Sequence, residues 1–377
     1  MSHPPISCAA AAWQNVADCW MDSTIRRPTR ASASSIPQTS PERLAKAVAY
    51  REKQDDKPTS NTQLYLAYGS NLSAETFLGR RGIRPLSAIN VSVPTLDLSF
   101  DLPGLPYWEP CFANVTYRKL PDKPKLPDPT HPPEVPPFDP PQSGRGWHGG
   151  LIGVVYEVTQ EDYDTIIRTE GGGASYQEIV VPCVPIPPRF STPEKPPIPE
   201  LPRPFLAKTL FAPYIPDEGL PDDPRKDKWW YRFVVRPHRP APDYAQPSPR
   251  YMKLLTDGAK EHDLPEEYQR YMSSLQPYVP TTLRQKIGKF LFMAILVLPF
   301  LFFAIVPLIV GKDAKMPTWL AMVMAVIFNF VWTVYDNVFK PIFGDGERTV
   351  DEGSRRDSIR AAWSCHDEEK ATLLVTE

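Results

Sequence analysis

The chain has 377 residues and a formal net charge of −2, its 42 Lys and Arg balanced by 44 Asp and Glu. That balance leaves no basic surplus to hold a phosphate backbone and excludes nucleic acid as a partner. The five cysteines, Cys8, Cys19, Cys111, Cys183 and Cys365, form no CxxC pair and the six histidines are scattered. They offer neither a disulfide framework nor a metal site and fit a reducing compartment.

The length admits two domains, and proline is the outlier at 47 residues, concentrated in blocks. The opening MSHPPISCAAAAWQNVADCW lacks a basic start and an unbroken apolar core, so it does not read as a secretory signal. Residues 1–61 are rich in Ser, Pro, Arg and Lys and are expected to be a disordered tail, save a short helix over Pro41 to Glu52.

The first strand pattern is QLYLA, which stops at Tyr68-Gly69-Ser70-Asn71. The plain reading is a strand ending in a turn, since Gly, Ser and Asn tolerate turn geometry. The sharper one is a loop whose glycine lets the backbone approach a ligand, with N–H groups and the Ser and Asn side chains forming an anion pocket. AETFLGRRGI then reads as a helix, and INVSVPTLDLSFDL alternates as strands. The stretch KLPDKPKLPDPTHPPEVPPFDPPQ carries neither ladder nor helix and is a loop. GGLIGVVYEVT is a strand. QEDYDTIIRTEG follows as an amphipathic helix with Tyr163, Ile166 and Ile167 on one face, closed by Gly171.

SYQEIVVPCVPI and FLAKTLFA are further strands, separated by a second proline block. A third loop runs through DEGLPDDPRKDKWWYRFVVRPHRPAPDY. A further amphipathic helix is predicted to begin after SPRYMKLLTDGAKEH, and LPEEYQRYMSSL is another. These elements make one α+β domain over 62–280 with unusually long loops.

Beyond it, Phe290 to Val310 is a run of about 21 uncharged residues, enough to span roughly 30 Å of hydrocarbon as a helix. A second run follows Pro317, with Trp319 and Trp332 near its ends as candidate interface anchors. The expectation is a two-helix membrane hairpin over 285–340, followed by a tail, 341–377. Positive charge lies outside the hairpin loop, which places the large domain on the cytosolic face of a multi-pass protein. Neither run carries an internal charge, so the hairpin is expected to anchor and to take no part in chemistry.

Five stretches, in order, resemble the γ-glutamylcyclotransferase family: LYLAYGSNLS; RGIRPL; LSFDLPGLPYWEPCFANV; WHGGLIGVVYEVTQEDYDTIIRTEGGGASYQEIVV; and PSPRYMKLLTDGAKEHDLPEEYQRYMSSL. They cover about half the chain. The resemblance implies a mixed β-barrel with flanking helices, and it extends to fungal members in sulfur-bearing metabolite pathways. It also implies an enzyme of the lyase or acyltransferase class, without cofactor or metal, whose partner is a small γ-glutamyl compound such as glutathione, a γ-glutamyl amino acid or an adduct. The substrate's α-amine attacks its own γ-carbonyl, releasing 5-oxoproline, so positioning within one molecule does most of the work. A single general acid/base suffices.

The resemblance places that role on Glu170 in RTEGGGASY. A helix end and partial burial there both favour the proton-bearing carboxyl. Glu157, Glu161 and Glu178 read as ordinary surface charges. The loop Tyr68, Gly69, Ser70, Asn71 and Leu72 is implied to bind the α-carboxylate, with Leu72 packing beneath it. Tyr176 is placed to close the pocket, and Tyr251 has equal claims as pocket and as core. Trp108, Cys111, Asn114 and His148 read as structural. Two alternatives stay open: a catalytically silent membrane-anchored scaffold, and a γ-glutamyl acyltransferase or hydrolase on the same fold.

Overall fold

The computed structural model describes residues 33–49, 62–118, 147, 149–170, 177–187, 203–212, 244–310 and 318–350, with backbone alone at 49, 298–310, 318–322, 324 and 325. The tail 1–32, most of each proline block, His148, Gly171 and the residues after 350 lie outside these. After a 3₁₀ turn at Ala33–Ser35, the first helix is α1 (Pro41–Ala49), within the range expected.

Five strands close into a barrel: β1 (Thr62–Ala67), β2 (Ser87–Val93), β5 (Leu151–Thr159), β6 (Gln177–Pro185) and β7 (Phe205–Phe211), in the order β1-β5-β2-β6-β7. Antiparallel pairing sets Leu66 opposite Val155, Val91 opposite Gly153 and Val181 opposite Ala207, and β7 returns parallel to β1 at Tyr65 and Lys208. Closure leaves the barrel no free edge. β3 (Leu96–Leu105) and β4 (Glu109–Tyr117) form a separate hairpin. Asn114 ties it to the end of β7, its Nδ2 donating to Ala212 O at 2.8 Å and its Oδ1 accepting from Ala212 N at 3.0 Å.

Glu157 is not the ordinary surface charge expected. Its carboxylate accepts from Arg43 Nε at 2.6 Å, Thr62 Oγ1 at 2.8 Å and Ser87 Oγ at 3.0 Å, which pins α1, β1 and β2 to β5. Burial alone would raise its pKa, but these hydrogen bonds outweigh that and hold the carboxyl below its usual range. Glu178 is also engaged, accepting from Tyr163 OH at 2.5 Å and pairing with Lys208 at 2.9 Å.

The helices follow their caps. α2 (Gln160–Thr169) starts where Thr159 Oγ1 accepts from Asp162 N, and Glu170 is its C-cap. α3 spans Pro249–Glu261, inside the stretch after which a helix was predicted to begin. Ser248 Oγ accepts from Tyr251 N and Pro249 occupies the first turn, which sets the start that early. AETFLGRRGI forms a single π-helical turn, Glu75–Arg80. α4 (Glu266–Ser274) lies as predicted.

The predicted hairpin segments are helical, α5 (Leu283–Val310) and α6 (Thr318–Val334), continued by a π turn at Tyr335–Phe339 and α7 (Lys340–Phe343). The membrane hairpin is not borne out: among the described residues no helix is long and apolar enough to cross a membrane. The side chains of residues 298–310, most of the first predicted span, lie outside the described residues, and in its described part Phe290, Leu291, Ile295 and Val297 are exposed. Phe292, Leu296, Phe328, Val331, Trp332 and Tyr335 are buried in the protein's own core. Trp332 packs edge-on against Tyr335 at 5.5 Å, so it is a core residue and not an interface anchor.

The β3–β4 turn inserts Tyr107 into this group, with φ of 65°. Its N–H donates to Gly346 O at 2.7 Å and its hydroxyl to Gly344 O at 2.7 Å. Its ring packs edge-on against Phe292 and Tyr335 at 5.9 and 5.6 Å. Tyr107→Phe is expected to lower unfolding free energy by about 1 kcal/mol, read from urea midpoints. An unchanged midpoint would remove the hydroxyl from the docking contact.

Candidate active site

β1 carries the chain to Tyr68, whose hydroxyl donates to Leu210 O at 2.7 Å and fixes the strand end against β7. Gly69 then precedes a single 3₁₀ turn, Ser70–Leu72, in which Leu72 N donates back to Gly69 O at 3.0 Å. A Cβ on Gly69 would lie 3.3 Å from the Tyr251 hydroxyl and 3.5 Å from Ala113 Cβ. A side chain here would crowd the Tyr251 hydroxyl by a few tenths of an ångström. Leu72 is fully buried beneath the turn, as expected.

The cavity beside this turn is lined by Tyr65, Tyr68, Gly69, Ser70, Asn71 and Glu170, with Ala113, Leu210 and Tyr251 completing the wall. Glu170 is buried. Its Oε1 accepts from Asn71 Nδ2 at 3.0 Å and pairs with the Arg81 guanidinium at 2.5 Å. Arg81 is itself held by Thr169, its Nη1 donating to Oγ1 at 2.5 Å.

The same Asn71 Nδ2 donates to Tyr65 OH at 2.8 Å. Both donor contacts fix the orientation of the amide and leave Oδ1 as a buried acceptor with no partner. An orphaned acceptor in a cavity wall is a vacancy for an N–H donor. Burial pushes the Tyr65, Tyr68 and Tyr251 hydroxyls well above the usual tyrosine range, and the Glu170 charge adds to this, so all three stay protonated. Tyr251 accepts from Ala113 N at 3.1 Å and keeps its own proton to give.

Helix α3 clamps the turn from behind. Gly258 packs so closely that a Cβ would stand 2.5 Å from the Leu72 carbonyl carbon. Glu261 Oε2 accepts from Ala74 N at 2.7 Å. His262 Nε2 lies 2.7 Å from the Tyr156 hydroxyl, which also reaches Asn71 O at 3.4 Å. Burial pushes the His262 pKa down to about 4, only partly offset by its hydrogen bond to the Leu72 backbone, so the ring is neutral near pH 7.

Of the residues singled out from sequence, Tyr68, Gly69, Ser70, Asn71, Glu170 and Tyr251 converge on one cavity. Tyr176 lies outside the described residues. Trp108, Cys111 and Asn114 do not line the cavity. Sequence reasoning missed Tyr65, Arg81 and His262. Arg81 opens RGIRPL and His262 ends GAKEH, so a signal stood in the motifs, but nothing local said what either would touch. Among the described residues no group of His, Cys, Asp and Glu could hold a metal ion. Cys183 is buried, its thiol pushed up to about 12, and burial raises Cys111 likewise, so neither is a ready nucleophile.

The chain is 30% identical over 293 residues to the γ-glutamyl cyclotransferase gliK of Aspergillus fumigatus, covering 75% of this chain and 88% of that protein. It is 28% identical over 296 residues to the γ-glutamyl cyclotransferase aclK of Aspergillus oryzae, covering 75% and 89%. Among solved structures it is similar to a γ-glutamyl cyclotransferase at 17% identity and a TM-score of 0.34, covering 60% of this chain and 98% of that one. An uncharacterized human protein matches at 17% identity and a TM-score of 0.36, covering 61% and 99%. No protein-family model matches the chain.

His262 generates a pH prediction. Its folded pKa of about 4 lies below the ordinary 6.5, so the unfolded chain binds the extra proton between those values. Its contribution to stability is complete above about pH 6.5 and is lost as pH falls toward 4. The stability gap between wild type and His262→Gln should therefore shrink from pH 7 to pH 4, by up to about 3 kcal/mol, in urea titrations. A constant gap would show that the imidazole does not titrate with unfolding.

Proposed function

The chain belongs to the γ-glutamyl cyclotransferase family, and on that premise we propose that it releases 5-oxoproline from a γ-glutamyl compound, with Glu170 as the general acid/base. The observation that carries the reading is the buried Glu170 carboxylate facing the Gly69–Asn71 turn across one cavity, held there by Asn71 and Arg81.

In this reading the α-carboxylate lies on the backbone at Gly69 and Ser70, where the missing side chain permits close approach. The α-ammonium sits between the Asn71 Oδ1 acceptor and Glu170. Both fixed contacts of the carboxylate fall on Oε1, and Oε2 takes the proton. Arg81 supplies a counter-charge beside the carboxylate. The freed amine attacks the γ-carbonyl carbon and closes the five-membered ring. The Tyr251 hydroxyl, protonated and with its hydrogen to give, supports the charge that develops on the carbonyl oxygen. When the bond between the γ-carbon and the leaving nitrogen breaks, the proton passes from Glu170 to that nitrogen. The ring nitrogen then gives its second proton to the regenerated Glu170 carboxylate, which passes it to the released amine, so that 5-oxoproline leaves neutral at its lactam nitrogen and the amine leaves as an ammonium, without water or cofactor. Because nucleophile and electrophile share one molecule, a wall that fixes its two ends supplies most of the acceleration.

The test is to incubate the full chain with a panel of γ-glutamyl amino acids, γ-glutamyl amines and glutathione and identify the product by mass spectrometry. The expected product is 5-oxoproline plus the free amine. Free glutamate would indicate hydrolysis, a new γ-glutamyl amide acyl transfer, and no product a silent binding protein. Glu170→Gln is expected to lower kcat by about 10²–10⁴ while a competing product analogue still binds; turnover near wild type would move the base elsewhere. Gly69→Ala, whose methyl would press on the Tyr251 hydroxyl, is expected to raise KM roughly tenfold with a smaller change in kcat. An unchanged KM would remove the turn from substrate binding.

A further inference from the structure

Over its described side chains, 283–297, helix α5 has two opposite faces. Gln285, Gly288, Phe292 and Leu296 are buried along one of them. Gly288 sits so close to Phe343 that a Cβ would meet the Phe343 Cβ at 2.6 Å, and Phe292 packs edge-on against Tyr107. On the other face stand Leu283, Ile287, Phe290, Ala294 and Val297, separated by four, three, four and three residues, which on an α-helix makes one stripe. All five are exposed, Leu283 at 73% and Phe290 at 74%. Arg284 and Lys286, also exposed, flank this stripe on its two sides. Neither α5 nor α6 contains an acidic residue. α6 repeats the pattern more briefly, with Val323, Val326 and Phe330 exposed while Phe328, Val331 and Trp332 are buried. Single exposed apolar side chains are ordinary, but a continuous stripe of them along a helix marks a contact surface.

We infer that the exposed face of α5 docks on an anionic lipid surface, this stretch of the helix lying along the bilayer interface without crossing it. Leu283, Ile287, Phe290 and Val297 enter the boundary of the acyl chains, and Arg284 and Lys286 reach the headgroups on either side. The charge pattern selects this occupant. An apolar stripe with a cation on each flank needs negative charge on both sides at once, and an anionic bilayer provides it without any matching shape. A second copy of the chain meeting α5 against α5 would bring the same cations and no acid in any register. The docking is one-sided because the opposite face is committed to the protein: Phe292 to Tyr107 and Gly288 to Phe343. The inference stands apart from the cyclotransferase reading and uses none of the residues that line its cavity.

The experiment is co-sedimentation of the full chain with two kinds of vesicle, phosphatidylcholine alone and equal parts of phosphatidylcholine and phosphatidylserine. Partitioning onto the anionic vesicles is expected to be stronger by about 10- to 30-fold, and to weaken as salt is added. The double variant Arg284→Gln/Lys286→Gln should lower binding to the anionic vesicles to the level of the neutral ones. Ile287→Ser/Phe290→Ser should lower binding to both kinds by roughly tenfold or more. All four positions are exposed, so the urea midpoints of both variants should match the wild type, which separates lost docking from lost folding. No sedimentation with either vesicle would overturn the inference, and so would equal binding to both that the charge variant leaves unchanged. Two further results would assign the face elsewhere and overturn it as well. One is a doubled mass in light scattering without lipid that Ile287→Ser/Phe290→Ser abolishes, which would give the face to a second copy. The other is retention on vesicles through a carbonate wash, which would show insertion in place of surface docking.

Discussion

An ionised carboxylate taken out of water needs both counter-charge and hydrogen-bond donors, and Glu170 obtains them from two segments remote in sequence. Arg81 arrives from the π-helical turn Glu75–Arg80 and Asn71 from the 3₁₀ turn after β1, and both meet the same oxygen. The barrel makes this possible. Pairing of β1 with β5 sets the end of β1 alongside the strand that leads into α2, whose C-cap is Glu170. Remove any of the three and a buried charge or a buried amide is left without its partner, which is why the site behaves as one unit with the fold around it.

The turn that faces Glu170 is short, and a short loop holds a shape only if its surroundings impose one. Helix α3 supplies those surroundings. Gly258 allows backbone-to-backbone approach at Leu72, Glu261 satisfies the Ala74 N–H, and His262 engages Tyr156 and the Leu72 backbone. Phe77 stacks on Tyr156 at 4.3 Å and closes the layer beneath. The GAKEH segment is therefore scaffold for the cavity and contributes none of its lining residues.

The hairpin β3–β4 links the site to the C-terminal helices. Ala113 in β4 lines the cavity and donates its N–H to Tyr251, while Tyr107 at the hairpin turn is bound by Gly344 and Gly346. Gly346 passes so close that a Cβ would meet the Tyr107 ring at 2.9 Å. Lys340 and Asp345 continue the contact through Tyr244, just ahead of α3. The C-terminal helices are thus part of the packing behind one wall of the site.

The sequence by itself determined what is encoded over a few neighbouring residues. Alternation marked the strands and glycine beside polar residues marked the Tyr68–Asn71 turn, whereas Glu170 was singled out by the ordered family resemblance and by no local pattern. The start of α3 was placed too late, although Ser248 and Pro249 stand at its start and Tyr251, Met252, Leu254 and Leu255 already follow helical spacing. Tertiary structure alone decided which distant side chains meet. The pairing of Arg81 with Glu170, the support of the turn by His262 and the parallel closure of β7 on β1 depend on contacts that no window of sequence contains. The C-terminal runs show the same limit most plainly: hydropathy states that Phe292, Trp332 and Tyr335 avoid water, but only the fold shows that Tyr107 and the protein core are what shelters them.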